Sequence, residues 1–345
     1  MSAVGSIGVT SLGANVAVGP TIVKVTYVIV AGGGSGGTGA FTGGGGAGGV
    51  LRGCVSVIKG TVLTIPIGGG GSAVPVPTLG TTPASAGMGG PSQIVWVGNT
   101  LQACGGGYGA QSGLAPSPCF PARLGHPGGS GGGNGSIGSI TSPRIRGLGV
   151  PGQGYPGGGT NCNSCGPGFG GGGGAGGAGT SLPGGNYTNP GHTPTGPKAG
   201  CGGPGIAVLI KGPTSPITLA GGGGAGGLYQ SPYFAPLGGY GYQGGCGGAG
   251  GGGTGFKTPS GSPPGTGGTS GSPNTGGGGG GGGYHNDYPP TPVTVSYIGG
   301  NGGSGTVIIS VPTPLKGTAS GTFTCGPDGT GNTWFQFTSA SSYTV

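Results

Sequence analysis

The chain has 345 residues, of which 107 are Gly and 33 are Pro, and it carries 10 basic and 2 acidic side chains for a net charge of +8. That composition excludes a helical protein, because Gly costs about 1 kcal/mol and Pro about 3 at each interior helix position. Unbroken Gly runs exclude a collagen triple helix, which needs Gly at every third position, and ten scattered bases form no stripe of the kind that nucleic acid requires.

Residues 1–20 are mostly small and polar, carry no charged side chain, and read as an N-terminal arm ending at Gly19-Pro20. They show no basic n-region and no compact apolar stretch, so we expect no secretory signal and no membrane insertion. Residues 21–30 (TIVKVTYVIV) carry the strongest strand pattern, with Val23, Val25, Tyr27 and Ile29 on one face. Residues 50–67 read as two strands, VLRGCVSVI and TVLTIPI, paired in a tight hairpin around Lys59-Gly60. Residues 94–103 (IVWVGNTLQA) read as a second hairpin turning at Gly98-Asn99.

A Gly/Pro/Ser tract over roughly 105–203 follows, with almost no β pattern. The pattern returns in IAVLIKGPTSPITLA at 206–220, two strands around Lys211-Gly212-Pro213. A second glycine tract covers 221–283, then come VTVSYI at 293–298 and TVIISV at 306–311. The C-terminal part holds a further pair, GTFTC and TWFQF, around the turn residues 327–331. The expected divisions are the arm 1–20, a glycine-rich domain 21–312 and a C-terminal β tail 313–345.

Three times an apolar strand stops and a Gly run begins at once, at Ala31, Cys104 and Ala220. A flexible linker has no reason to start repeatedly from strand ends. Ordering a residue costs about 1–2 kcal/mol, and Gly offers no side chain to offset it. An ordered Gly tract must therefore be held by its backbone. The polyproline II conformation turns every three residues and points N–H and C=O groups outward. Several such threads can bond side by side, each net bond contributing about 1 kcal/mol. The fold class expected is all-β, with short antiparallel strands bracketing a polyglycine-II helix bundle and no α-helix.

TYVIVAGGGSGG at 26–37, GGGGAGGVLRG at 43–53, VSVIKGTVLTIPIGGGG at 55–71, GPGIAVLIKGPTSPITLAGGGGAGG at 203–227 and GGNGGSGTVIISVP at 299–312 occur in this order. The ordered set resembles the glycine-rich domain of bacteriophage tail fibre and tip adhesin proteins, over roughly residues 22–312. The resemblance implies a virion protein, made in the host cytoplasm, whose apical loops contribute to recognising the host surface. Its implied partners are other virion or tail proteins, a host cell-surface glycan or outer-membrane protein, and further copies of itself. Inserts within 108–200 and 228–240, and the tail beyond the closing strand, depart from the pattern. They leave open a purely architectural virion role, as fibre shaft, collar or capsid decoration, without receptor binding.

Enzymatic sites are poorly supplied. Gly32, Gly34 and Gly37 match a dinucleotide fingerprint in form, but no helix pattern follows and no acid occurs before Asp287. We expect no cofactor. Cys162 and Cys165 form a CxxC that Cys201 and His192 would have to complete for zinc, at irregular spacing. The eight cysteines are expected to remain mostly free thiols. Asp287 and Asp328 are the only acids, too few for paired-carboxylate chemistry. The remaining candidates are aromatic and polar residues in loop-like sequence, suited to partner contact. They are Tyr108, Phe120, Tyr155, Tyr187, Tyr229, Tyr233, Phe234, Tyr284, His285 and Tyr288.

Overall fold

The computed structural model describes residues 19–39, 42–75, 87–111, 124–136, 146–159, 168–181, 198–230, 240–257, 266–287 and 293–345. Among them are strands, glycine threads and one 3-10 turn at Thr313–Leu315, and no α-helix. The fold is all-β, as the Gly and Pro content requires.

Ten strands, numbered in chain order, build two five-stranded antiparallel sheets. The first has the order β16 (Phe323–Pro327), β17 (Asn332–Phe337), β14 (Thr306–Pro312), β1 (Ile22–Val30), β2 (Val50–Ile58). The second has the order β15 (Thr318–Ser320), β18 (Ser341–Thr344), β3 (Val62–Ile65), β4 (Ser92–Trp96), β5 (Asn99–Ala103). They pack face to face. Val23, Val25, Tyr27 and Ile29 of β1 lie in one core with Leu63, Ile65, Ile94, Phe335, Phe337 and Tyr343. The alternation read in residues 21–30 therefore faces this core. Residues 313–345 supply strands to both sheets.

Two turns differ from the sequence reading. β2 and β3 do not pair with each other: the chain turns at Lys59-Gly60, where Gly60 has φ +92, and passes from the first sheet to the second. Ile58 and Val62 thus end up in different layers, and both keep large exposed side chains. β4 and β5 do form a hairpin, but Trp96 pairs with Asn99, so the loop is Val97-Gly98, with Gly98 at φ +73. The sites read at 206–220 and in the tail do form hairpins, as β8 (Ile206–Val208) with β9 (Ile217–Leu219), and β16 with β17.

Asp328 organises the β16–β17 turn. Its carboxylate accepts bonds from Thr330 N (2.7 Å), Thr330 Oγ1 (2.8 Å), Asn332 N (3.0 Å) and Asn332 Nδ2 (2.8 Å). Slight burial raises its pKa, but the bonds from Asn332 and Thr330 outweigh it and hold the group at about 2, below the ordinary 3.8. A depressed folded value stabilises the fold above the unfolded pKa and loses that contribution as pH falls through the folded one. The turn is therefore expected to hold at pH 4 and to loosen toward pH 2. Asp287 is the only other acidic side chain, so this acid step should stand out. Thermal unfolding at pH 7, 4 and 2 should show it in the parent chain, and Asp328→Ala should abolish the extra loss below pH 4.

At the end of the sheets the chain passes into glycine threads without a break, at Ala31, Gly49, Cys104 and Gly305. In the enclosed threads successive N–H groups bond to three neighbours in rotation. Gly32 and Ser35 donate to Gly90 and Gly87, Gly33 and Gly36 to Gly303 and Gly300, Gly34 and Gly37 to Gly46 and Gly43. In the next thread Gly43, Gly46 and Gly49 donate to Ala110, Gly107 and Cys104, Gly44 and Ala47 to Gly170 and Gly173, Gly45 and Gly48 to Gly279 and Gly276. Gly71, Gly106 and Gly279 donate back to the first thread. It is therefore surrounded by six others, and its backbone is satisfied with no bond inside the thread.

That spacing leaves no room for a side chain. A Cβ at Gly36 would lie 2.0 Å from the Gly280 carbonyl oxygen, and one at Gly278 would lie 2.0 Å from that of Gly45. Ser35 and Ala47 are exceptions on fully enclosed threads. Ser35 sits beside the thread end at Gly87, whose carbonyl its hydroxyl approaches at 3.3 Å. Ala47 meets an apolar layer between lattice and sandwich, with Val28, Val30, Val50 and Ile308 from the first sheet and Val208, Leu219 and Ala220 beside the β8–β9 hairpin. Lys211, at the tip of that hairpin, lies over the Trp334 ring at 4.3 Å and donates to Gln336. Desolvation there lowers its pKa.

Candidate functional site

The body has two unlike poles. At one, the strands of the sandwich turn back at Lys59-Gly60 and Val97-Gly98, Thr21 accepts a bond from Lys59, and Val345 pairs with Gly60 and Thr61. Described residues from both terminal regions of the sequence thus meet at this pole. It also exposes Ile22, Ile58, Val62 and Val97.

The opposite pole is reached where the threads run out. Gly43 donates to Ala110, Gly226 to Thr42, Gly282 to Gly37, Asn134 to Gly158, Gly170 to Asn134, Gly171 to Thr180 and Phe256 to Gly281. The Thr38 hydroxyl donates to the Val74 carbonyl at 2.8 Å. These residues are level with one another. The chain leaves and rejoins the described body here for every internal stretch outside it: 40–41, 76–86, 112–123, 137–145, 160–167, 182–197, 231–239, 258–265 and 288–292. Connections away from this pole are short by comparison, as at Val97-Gly98 in the sandwich and at Gly250-Gly251 between two threads, the latter pair at φ +96 and +94.

A four-stranded sheet grows from the thread ends at the loop-bearing pole. Its order is β11 (Tyr240–Tyr242), β10 (Leu228–Gln230), β12 (Tyr284–Asp287), β13 (Val293–Ser296), with β10 and β12 parallel. In register, Leu228 stands between Tyr242 and Tyr284, Tyr229 opposite His285, and Gln230 between Tyr240 and Asn286. Leu228 is buried with Phe169, Ala199 and Ala225, and Tyr284 packs on that cluster. Phe169 belongs to a short pair, β6 (Gly135–Ser136) with β7 (Gly168–Phe169), at the same pole. Nearby Phe256 is fully buried and contacts the Tyr297 ring at 4.8 Å. A Cβ at Gly283 would strike the Phe256 ring at 2.2 Å, so the thread must stay Gly up to its last residue.

Of the sequence candidates, Tyr229, Tyr284 and His285 come together in this sheet. Tyr108 and Tyr155 lie on separate threads along the sides of the body. Tyr108 stacks on His126 with centroids 4.7 Å apart, and Tyr155 is 48% exposed. Phe120, Tyr187, Tyr233, Phe234 and Tyr288 lie outside the described residues, in stretches that start and end at the loop-bearing pole. The sequence reading missed the polar rungs Gln230 and Asn286. The segments LYQ and YHND are too short for alternation to reveal them. Lys198, Lys257 and Arg146 flank the pole, and Arg123 and Arg144 lie outside the described residues, in stretches that start and end there. Asp287 is the one acid nearby in sequence, since Asp328 lies at the other pole.

Cys201 is bonded to Cys246, against the expectation of free thiols for that pair, while Cys54, Cys104 and Cys325 are free. The threads place the two sulfurs side by side, a proximity that sequence spacing cannot show. The bond also removes Cys201 as a zinc ligand. Cys162, Cys165 and His192 are outside the described residues. Among the described residues no cluster of three metal-ligating side chains occurs, and no helix is long and apolar enough to cross a membrane.

A Gly-thread lattice capped by a β-sandwich defines a glycine-rich structural domain. The family model for the glycine-rich domain matches residues 10–211, and the chain belongs to that family. No curated protein and no solved structure matches it significantly.

Proposed function

We propose that the protein is a bacteriophage tail fibre or tip component that recognises the host surface with the loops at one pole. The observation that carries this reading is the asymmetry of the body. The internal stretches outside the described residues, several of them long and bearing proline and tyrosine, all start and end at one pole, and the described residues nearest both ends of the sequence lie at the other. A protein held by its base and reading a surface with its tip needs that separation. The threefold rotation of lateral bonds supports a polyglycine-II reading of the threads. Such a body is rigid without a large apolar core, so the loops are presented at fixed spacing. Loops bearing tyrosine supply flat, amphipathic contact surface. The basic residues near the pole favour an anionic target, such as a phosphate-bearing surface glycan.

The test uses the purified chain, fluorescently labelled, against a panel of Gram-negative and Gram-positive cells and in competition with phage adsorption. Saturable binding to a susceptible strain and block of adsorption are expected. Tyr229→Ala with Tyr233→Ala should weaken binding by at least about tenfold, as loss of an aromatic anchor does, with unchanged thermal stability. Absence of binding and competition at saturating protein would instead favour a purely architectural part of the virion.

A further inference from the structure

The Cys201–Cys246 bond joins two neighbouring threads. The thread at 243–249 is a corner of the lattice. Among the described residues its backbone bonds reach three neighbours: 199–205 through Ala199–Gln243, Gly202–Cys246 and Gly205–Ala249, 222–225 through Gly245–Ala225 and Gly248–Gly222, and 252–256 through Gly244–Phe256 and Gly255–Gly245. The enclosed thread at 32–37 has six. Fewer lateral bonds mean a lower local opening free energy. This same corner thread runs directly from β11, an edge strand of the tyrosine-bearing sheet.

We propose that the Cys201–Cys246 bond is a redox clamp that keeps this corner thread, and with it β11, docked on the lattice. Cys246 is exposed and Cys201 half-buried, so small thiols and disulfides can reach the pair. Closure couples the two thiols to a small-molecule disulfide. The two cysteine sulfurs join, and the oxidant takes up two electrons and two protons and leaves as two thiols. Excess dithiothreitol reverses the step, ending as its cyclic disulfide. In a thiol-reducing compartment the thread is held by its lateral hydrogen bonds alone, and it is fastened once the protein meets an oxidising medium.

Amide hydrogen exchange of the whole chain, oxidised and after dithiothreitol, tests this. Exchange at 240–249 should quicken at least about tenfold on reduction, while 43–49 stays unchanged. The double variant Cys201→Ser, Cys246→Ser should show the fast pattern without reductant, which separates this pair from the other cysteines. Unchanged exchange at 240–249 would overturn the proposal, and so would equal acceleration in every thread. Either result is read without a receptor, so the adhesin reading stands or falls separately.

Discussion

Replacing Gly36 by Ala should unfold the protein or lower its stability by at least about 3 kcal/mol, at the upper end of overpacking costs. The added methyl would sit 2.0 Å from the Gly280 carbonyl oxygen and 2.4 Å from its carbon. Neither is the end of a flexible side chain. Relief requires the threads at 32–37 and 276–283 to separate, and each is bonded to others that would have to follow. The strain therefore spreads instead of relaxing locally. Gly69→Ala is the control, since a Cβ there meets nothing within 4 Å and its φ is ordinary. That change should stay within about 0.5 kcal/mol, as surface substitutions do. Midpoints from thermal or denaturant unfolding separate the two. Equal and small effects would mean that the threads are not close-packed.

The second large effect concerns the amide protons. Gly34 donates to Gly46 at 2.9 Å, Gly45 to Gly279 at 2.8 Å, and Gly279 to Gly34 at 2.9 Å, closing a circuit among three threads. No proton in that circuit can exchange until at least two threads part. Opening several threads at once approaches global unfolding, for which about 5–15 kcal/mol is usual. These amides should therefore exchange at least about 10³-fold more slowly than in an unstructured peptide. Ordinary glycine-rich sequence would exchange at the peptide rate. Rates within tenfold of that peptide value at Gly34, Gly45 and Gly279 would remove the basis for a rigid body.

The longer sandwich strands were legible from their apolar runs, most clearly the period-two alternation of residues 21–30. The junctions at Ala31, Cys104 and Ala220 were legible too, because each begins a thread where a strand ends. Partner choice was not. Lys59-Gly60 has the composition of a hairpin turn, yet the strands on either side bury different faces, and the second sheet takes β3. Strands such as β15 and β18 are short and polar and gain their place only from neighbours far away in sequence. Which threads touch is likewise invisible, because Gly carries no pattern to read. For that reason the Cys201–Cys246 contact and the joining of Tyr229 with His285 emerge only in three dimensions. At the candidate site, residue type was readable and grouping was not.

The start and end of every long stretch outside the described residues at one pole bear on how such a protein can change over time. Each loop need only span two adjacent thread ends, and doubling its length costs about 0.6 kcal/mol in closure entropy. The main-chain bonds that hold the body run between described residues, thread to thread. Segments such as 112–123 or 231–239 can thus be exchanged between lineages, lengthened or rewritten with little effect on the scaffold. A mosaic gene, conservative in its glycine runs and divergent between them, is the pattern of variation such an architecture permits.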